Sequence, residues 1–348
     1  MKKKILIQGL LFLLLTLLLP LLITKLLSHN APTDDLPNID EIRIYASADS
    51  QMLTLEEYVI GVVLANIPVH YELETLKAQA VISRTYALKN ISLCNEKRST
   101  TSLVDTLDPH SKGYTTNELG LPYSDPKAYL TYTGTMEHET YLANVTRAVK
   151  ETKGQVITYK NNLITPLFFS TSAGKTRNSA ELWSQKIPYL VSVDSNQDVE
   201  SSNYLKVSIY TIEATLQMLQ TAYQNHLLDA SEYDYQVYRT LPFDANQFFD
   251  SVEIMTRDSA GYVLTVSLGG ILVTGDSFAN ALGLNSSYFY FEDYEESVRF
   301  ICNGLGHGIG FSQYGANVLA KESDATYEEL LSYYYANIKI KEIDSLYE

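Results

Sequence analysis

Hydrophobic positions recur with a helical period in the segment that follows residue 50. Thr54 with Glu57 three residues later forms a capping box, which predicts a helix that starts there. The helix should end near Ala65, because Pro68 cannot continue it. Asn66 falls on the apolar face of this helix, so we expect its side chain to point inward or into a cleft. The apolar stripe itself consists of Leu55, Val59, Val62 and Val63.

The remaining pattern predicts helices and antiparallel hairpins in separate runs. Helices are expected over residues 72–91, 140–153 and 211–228, and a last one follows the capping box of Thr326 and Glu329. A hairpin should close near Asn161 and Asn162, and residues 252–275 should form three strands with turns at 259–261 and 269–270. Residues 95–125 are polar and irregular, which is typical of a loop region. Together these elements predict the α+β class.

The N-terminus has the pattern of a membrane anchor. Three lysines precede an apolar run from Ile5 to Thr24, and about twenty helical residues span a hydrocarbon core of ~30 Å. Because Leu26 to His29 form a poor cleavage site, we favour an uncleaved signal anchor over residues 1–29, with a cleaved signal peptide as the alternative. The lysines should keep the N-terminus in the cytoplasm and place the rest outside. We divide the rest into a linker over 30–49, one domain over 50–341 and a tail over 342–348.

Charge and cysteine content exclude several classes of function. The chain has 26 basic and 41 acidic residues, and four of the basic ones belong to the anchor, so the exported part carries a net charge of −19. Nucleic acid and anionic lipid are therefore poor partners. Cys94 and Cys302 could form a disulfide in an exported protein or stay as buried thiols. The six histidines show no ligand spacing, and the sequence predicts neither a metal site nor a cofactor.

Three segments carry candidate chemistry, and each has an ordinary structural alternative. Lys77 and Arg84 share one face of the second helix, as ligand-binding cations or as a solvated charged face. The hydroxyls of residues 170–172, with tyrosine at 189, could bind a polar ligand or simply form a turn. Residues 304–316 contain five glycines, which permit close backbone approach to a ligand. A serine hydrolase using Ser312 with His307 is disfavoured, since no acidic partner is evident, and we expect Ser312 to cap a helix instead.

Read jointly, these segments resemble the stage II sporulation protein D family, also called the sporulation and amidase-enhancer domain. The similar stretches are YVIGVVLANIP, LETLKAQAVISRTYAL, FFSTSAGKT, IPYLVSV, TGDSFANALGLNSSYF, GLGHGIGFSQYGANVLA and YEELLSYYYANIKI. They occur in this order between residues 50 and 341. The resemblance implies one extracytoplasmic α+β domain with a glycan-binding cleft, anchored in the mother-cell membrane and facing the intermembrane space during engulfment. It also implies denuded peptidoglycan strands as substrate, and an amidase and a polytopic membrane protein as partners.

The resemblance further implies lytic transglycosylation, in which one glutamate acts as the acid. In the family that glutamate directly precedes a Met/Ile-Pro pair at the end of the first helix, and here the position is Asn66, whose amide has no acidic proton to give. Two hypotheses follow: either Glu72 or Glu74 substitutes as the acid, or the protein is an inactive glycan-binding scaffold or amidase enhancer. The residues carried over to substrate binding are Arg84, Ser170, Thr171, Ser172, Tyr189, His307, Gln313 and Tyr314.

Overall fold

A computed structural model describes residues 42–46, 51–100, 113–133 and 135–346 of the chain. The helices of this part, in chain order, are α1 (Leu55–Asn66), α2 (Leu73–Thr100), α3 (Thr116–Leu119), α4 (Pro126–Thr133), α5 (Met136–Glu151), α6 (Ser179–Leu182), α7 (Ile212–Gln224), α8 (Glu232–Val237), α9 (Phe248–Ser251), α10 (Gly275–Ala281), α11 (Gln313–Ser323) and α12 (Tyr327–Tyr334).

The strands are short and belong to several small sheets. In chain order they are β1 (Ile44–Ala46), β2 (Gln51–Leu53), β3 (Tyr114–Thr115), β4 (Gln155–Tyr159), β5 (Asn162–Leu163), β6 (Phe168–Phe169), β7 (Leu205–Thr211), β8 (Val252–Arg257), β9 (Val263–Leu268), β10 (Ile271–Thr274), β11 (Phe289–Tyr294), β12 (Ser297–Asn303), β13 (Phe311–Ser312) and β14 (Lys339–Glu342).

Sheet topology confirms the α+β prediction, with two exceptions to the antiparallel pattern. The orders β10-β9-β8, β11-β12-β7 and β14-β4-β5 are antiparallel throughout. In contrast, β1 pairs with β3 in parallel, and β6 pairs with β13 in parallel. The second parallel pair joins residues 311–312 to residues 168–169, so it brings two of the candidate segments together.

Three hydrophobic clusters fill the interior of the part that the structure describes, and α2 separates two of them. Leu76, Ala87 and Leu88 pack into a first cluster with α1 and α5. Ala78 and Val81, on another face of α2, pack into a second cluster with α11 and α12. A helix that is apolar on more than one face is buried, so α2 is the central element between the first and second clusters. The third cluster is formed by α7, α10 and strands β8 to β12.

The predicted start of α1 is confirmed. Thr54 accepts a hydrogen bond from the Glu57 amide at 3.3 Å, and the Glu57 carboxylate accepts one from the Thr54 amide at 2.8 Å. The helix ends at Asn66, and the next residue, Ile67, is extended. This is the conformation that a following proline imposes on its neighbour.

The predicted end of α2 was wrong. Helix α2 continues to Thr100, nine residues beyond the predicted end at Ile91, so part of the expected loop region is helical. The polar residues after Ile91 that suggested a loop prolong the helix instead. The hairpin formed by β4 and β5 is confirmed, and Lys160 and Asn161 in its turn have positive φ angles of 50° and 68°. However, Phe168 and Phe169 leave this hairpin to pair with β13.

The predicted anchor and most of the linker lie outside the described residues. None of the described helices is long and apolar enough to cross a bilayer. Cys94 and Cys302 do not form a disulfide with each other. At the other end, Ile343 is buried in the first cluster, so ordered packing extends past residue 341.

Candidate functional site

Asn66, which the resemblance places where the acid is expected, is the last residue of α1 and is half-buried. Its side-chain amide donates to the carbonyl oxygen of Val62 at 2.7 Å and to that of Pro122 at 3.1 Å. The first bond closes the last turn of α1, and the second holds the loop before α4. The amide NH₂ group of Asn66 therefore has a structural role.

Helix α11 holds the segment that follows Asn66 at two points. The Gln313 amide donates to the main-chain oxygen of Asn66 at 3.0 Å and to the side chain of Gln79 at 3.2 Å. One turn further along, the Asn317 side chain accepts from the main-chain amide of Glu72 at 2.7 Å. Residues four apart lie on one face of a helix. The same face of α11 thus fixes Asn66 and Glu72.

The two substitute acids differ in their surroundings. Glu74 forms an ion pair with Lys77 at 2.7 Å and accepts the first amide of α12, that of Tyr327, at 2.9 Å. Its carboxylate is committed to packing α2 against α12. Glu72 is exposed, and its carboxylate has no hydrogen bond or ion pair among the described residues.

Arg84 lies in the interior and is not exposed to solvent. It is fully buried and forms a two-pronged ion pair with Glu56, at 2.9 Å through Nε and 2.6 Å through Nη2. A further guanidinium bond reaches the carbonyl oxygen of Gln155 at 3.1 Å. Neither predicted alternative, a ligand-facing cation or a solvated face, describes this residue. Lys77 is also paired, with Glu74 and with Glu151 at 2.8 Å.

Of the three hydroxyls at residues 170–172, one stays accessible. Thr171 and Ser172 are buried, whereas Ser170 is half-buried. The main-chain oxygen of Ser170 accepts from the amide of Tyr314 at 2.9 Å, and Thr171 exchanges both main-chain bonds with Leu305, at 3.0 and 2.8 Å. Residues 170–172, the hydroxyl segment, and residues 304–316, the glycine-rich segment, are thus hydrogen-bonded directly to each other.

Asp198 lies at the centre of this junction, and it was not among the residues predicted from the sequence. Its carboxylate accepts hydrogen bonds from the hydroxyls of Ser195 at 2.5 Å and Ser312 at 2.8 Å, and also from the amides of Ser172 and Gly315. Burial raises the pKa of Asp198 to about 6, although all four of these bonds lower it. No motif surrounds Asp198 in the sequence, because its partners come from three separate segments.

Two features of the glycine-rich segment follow from Asp198. Ser312 is the N-cap residue of α11, but its hydroxyl bonds to Asp198 and does not cap the helix, so the capping prediction was wrong for the side chain. A Cβ atom at Gly315 would lie 2.6 Å from the Asp198 carboxylate and 2.5 Å from the Ser195 hydroxyl. Glycine is required at 315 because the carboxylate approaches the helix backbone closely.

His307 and Tyr314 lie beside the hydroxyl segment, while Tyr189 does not. The His307 ring packs against Phe169 with centroids 5.5 Å apart, and its Nδ1 accepts from the Ile309 amide at 3.1 Å. His307 is exposed at the surface, but the protein atoms around its ring partly desolvate the imidazole. This desolvation lowers the pKa of His307 and favours the neutral form at pH 7. The hydroxyl of Tyr189 accepts from the Thr165 amide at 2.9 Å. No hydrogen bond or ring contact of the described residues joins Tyr189 to Asn66, Ser170 or Gln313.

The site therefore gathers Asn66, Ser170, His307, Gln313 and Tyr314. A cavity of about 400 Å³ adjoins the turn after Asn66 and is lined by Val69, His70, Met136, Glu137, Thr140, Tyr141 and Asn144. None of the predicted substrate-binding residues lines it. Among the described residues, no group of three His, Cys, Asp or Glu side chains could hold a metal ion.

Comparison with known proteins identifies the family. Residues 47–159 match the family model described as SpoIID, stage II sporulation protein. The chain is 33% identical to the stage II sporulation protein D of Bacillus subtilis over 87% of its own length and 80% of that protein, and 31% identical to that of Bacillus amyloliquefaciens over 84% and 76%. This chain belongs to the stage II sporulation protein D family. It is also 24% identical to the amidase enhancer of Bacillus subtilis, over 79% of this chain and 39% of that protein.

Proposed function

We propose that this chain is a sporulation cell-wall protein that binds the glycan strands of peptidoglycan and cleaves them weakly or not at all. The names of its relatives, stage II sporulation protein D and amidase enhancer, support the cell-wall role. The half-buried side chains of Asn66, Ser170 and Tyr314 come from three segments that are joined by hydrogen bonds, and amide, hydroxyl and aromatic groups suit a sugar polymer. We further propose attachment to the membrane through residues 1–29 and joint action with a cell-wall amidase.

The observation that carries this proposal is the bonding of Asn66. Lytic transglycosylation needs an acid that protonates the glycosidic oxygen while the muramyl C6 hydroxyl attacks C1 and closes a 1,6-anhydro ring. The Asn66 amide cannot supply that proton, and its NH₂ group is bonded to Val62 and Pro122. Acid catalysis accelerates such steps by ~10²–10⁴-fold, or roughly 3–5 kcal/mol of barrier. Its loss is sufficient to silence the reaction.

The second candidate is an active enzyme in which Glu72 is the acid. Two observations favour Glu72 over Glu74: its carboxylate is exposed and has no partner within the described part of the chain, and its main chain is fixed by the same face of α11 that fixes Asn66. Glu74 is held by Lys77 and by the first amide of α12. Under this hypothesis Glu72→Gln abolishes cleavage, and Glu74→Gln mainly lowers stability.

The test is to incubate the purified chain with denuded glycan strands and to measure 1,6-anhydro products and bound glycan. We expect binding without product for the unmodified chain and for Asn66→Gln, and product for Asn66→Glu, which has the same length as the glutamine control. Product from the unmodified chain at the rate of Asn66→Glu contradicts the weak-activity proposal. If that product disappears in Glu72→Gln, Glu72 is the acid, and absence of both product and binding overturns the glycan proposal as a whole.

A further inference from the structure

Strand β7 presents an unusual aliphatic row to solvent. Leu205, Val207 and Ile209 point to the outer face of the sheet β11-β12-β7 and are 58%, 46% and 50% exposed. In the next strands the same row continues with half-buried Ile301 and with Tyr290, which is 49% exposed. Contiguous apolar surface of this kind marks interaction sites in soluble domains.

The hydrogen-bond phase of the sheet leaves main-chain groups free on the outer edge of β7. The Gly304 amide donates to the Tyr204 carbonyl at 2.6 Å, in the same register that pairs Ser208 with Phe300. In an antiparallel pair of strands, every second residue exchanges main-chain hydrogen bonds with its partner. Counting in twos from Tyr204, the residues of β7 that bond to β12 are Lys206, Ser208 and Tyr210. The N–H and C=O groups of Val207 and Ile209 therefore point away from β12, where no described strand pairs with them.

The sequence of β7, LKVSIYT, is complementary to itself about Ser208. If a second β7 lies antiparallel with Ser208 on the two-fold axis, Val207 of one copy meets Ile209 of the other, and both present outward main-chain groups. Lys206 then faces Tyr210, so no like charges oppose each other. A register centred on Lys206 would place two lysines opposite each other, and registers that oppose Ser208 and Val207 would mismatch the main-chain groups.

We propose that two copies of this chain associate through their β7 edges and join the two sheets into one of six strands. The interface is isologous, as the commonest homodimers are, and it covers the outward main-chain groups of Val207 and Ile209. An edge lysine such as Lys206 can also serve to prevent strand pairing. The same edge could accept a strand from a different protein, and the experiment distinguishes these outcomes.

Disulfide trapping in the full chain, in membranes, tests both the partner and the register. On the two-fold axis the Ser208 Cα atoms would be about 4.5 Å apart, within disulfide reach. Two copies of residue 206 would be offset by four residues, roughly 13 Å along the strand, which is out of reach. We expect Ser208→Cys to give a covalent dimer under mild oxidation, while Lys206→Cys stays at the level of the parent chain, which contains Cys94 and Cys302.

A second pair of variants keeps the proposal testable if Ser208→Cys does not fold. Differently tagged Val207→Cys and Ile209→Cys chains should cross-link with each other when co-expressed, and each should cross-link poorly with itself. Equal cross-linking at 206 and 208 would indicate random collision and overturn the proposal. Absence of both the 208 product and the mixed 207–209 product in folded chains would also overturn it and leave the edge to another protein.

Discussion

At the scale of single residues, buried charged groups hold the backbone around the site. Arg84 joins α2 to Glu56 in α1 and to the carbonyl oxygens of Val149 in α5 and Gln155 in β4, without contact to solvent. Asp198 does the same for the hydroxyl segment and the start of α11. In both cases charge placed in the interior is satisfied by several bonds, as burial requires.

Arg84→Ala should destabilise the fold strongly. Removal of one partner leaves the Glu56 carboxylate without its counter-charge, and breaking a buried ion pair costs about 3–5 kcal/mol. Arg147→Ala is the matched control, since Arg147 forms an exposed pair with Glu151 that contributes below about 1 kcal/mol. Urea denaturation measures both free energies of unfolding. A stable Arg84→Ala chain that has lost only glycan binding would contradict the structural role.

Asp198 should give stability a characteristic pH dependence. Its pKa is about 6 when folded and near 3.8 when unfolded, so the folded state binds a proton more readily between these values. Its contribution is complete below pH 3.8 and is lost as pH rises through 6, by about 3 kcal/mol in total. Relative to Asp198→Asn, the unmodified chain should lose stability from pH 4 to pH 7. A difference that does not change with pH would contradict the raised pKa.

At the scale of elements, α11 connects the glycine-rich segment to the end of α1. Its first residue, Gln313, reaches the main chain of Asn66, and Asn317 reaches that of Glu72. Because both bonds come from one helix face, the segment after α1 has little freedom to move relative to α11. We call these two hydrogen bonds, from Gln313 and Asn317, the clamp. The clamp fixes the main chain that would carry any acid in the segment, native or engineered.

Asn317→Ala should loosen the clamp without unfolding the molecule. We expect a loss of about 1 kcal/mol, typical of one hydrogen bond, and faster amide exchange at Glu72. Glycan binding should weaken more than in Lys321→Ala, an exposed change near the end of the same helix. Hydrogen exchange and glycan sedimentation measure the two effects. Unchanged exchange at Glu72 would show that other contacts hold the segment.

At the scale of the whole molecule, Arg177 joins the site to the third hydrophobic cluster. Its guanidinium is buried and contacts Asp258 at 2.7 Å and Asp276 at 2.9 Å, and it lies 5.0 Å from the centre of the Tyr262 ring. Asp258 immediately follows β8 and Asp276 belongs to α10, whereas Arg177 follows the hydroxyl segment. The Arg177 side chain thus connects the chain after the hydroxyl segment to β8 and α10.

Arg177→Leu should cost about 3–5 kcal/mol, because Asp258 is left buried without a counter-charge. Arg177→Leu combined with Asp258→Asn should recover part of that loss, since the uncompensated charge is then removed. A double-mutant cycle by urea denaturation measures the coupling. Additive effects of the two substitutions would contradict a direct interaction.

The sequence predicted the local features well. Capping boxes at Thr54 and Thr326, the proline after α1 and the turn before β5 depend on neighbours in the chain, and each is present. The end of α2 was wrong because polar residues suit the outer face of a helix as well as a loop. The burial of Arg84 was missed, since the residues around it come from α1 and from the chain after α5.

By itself the sequence determined the family, the α+β class and the absence of a carboxylate at position 66, because these depend on residue identity and short-range pattern. Only the tertiary structure decided which candidate residues share a site. It placed Arg84 inside, separated Glu72 from Glu74 and revealed Asp198, because hydrogen bonds between distant segments leave no periodic trace in the chain. The chemistry of the site is therefore carried by residues whose roles follow from contacts across more than a hundred positions.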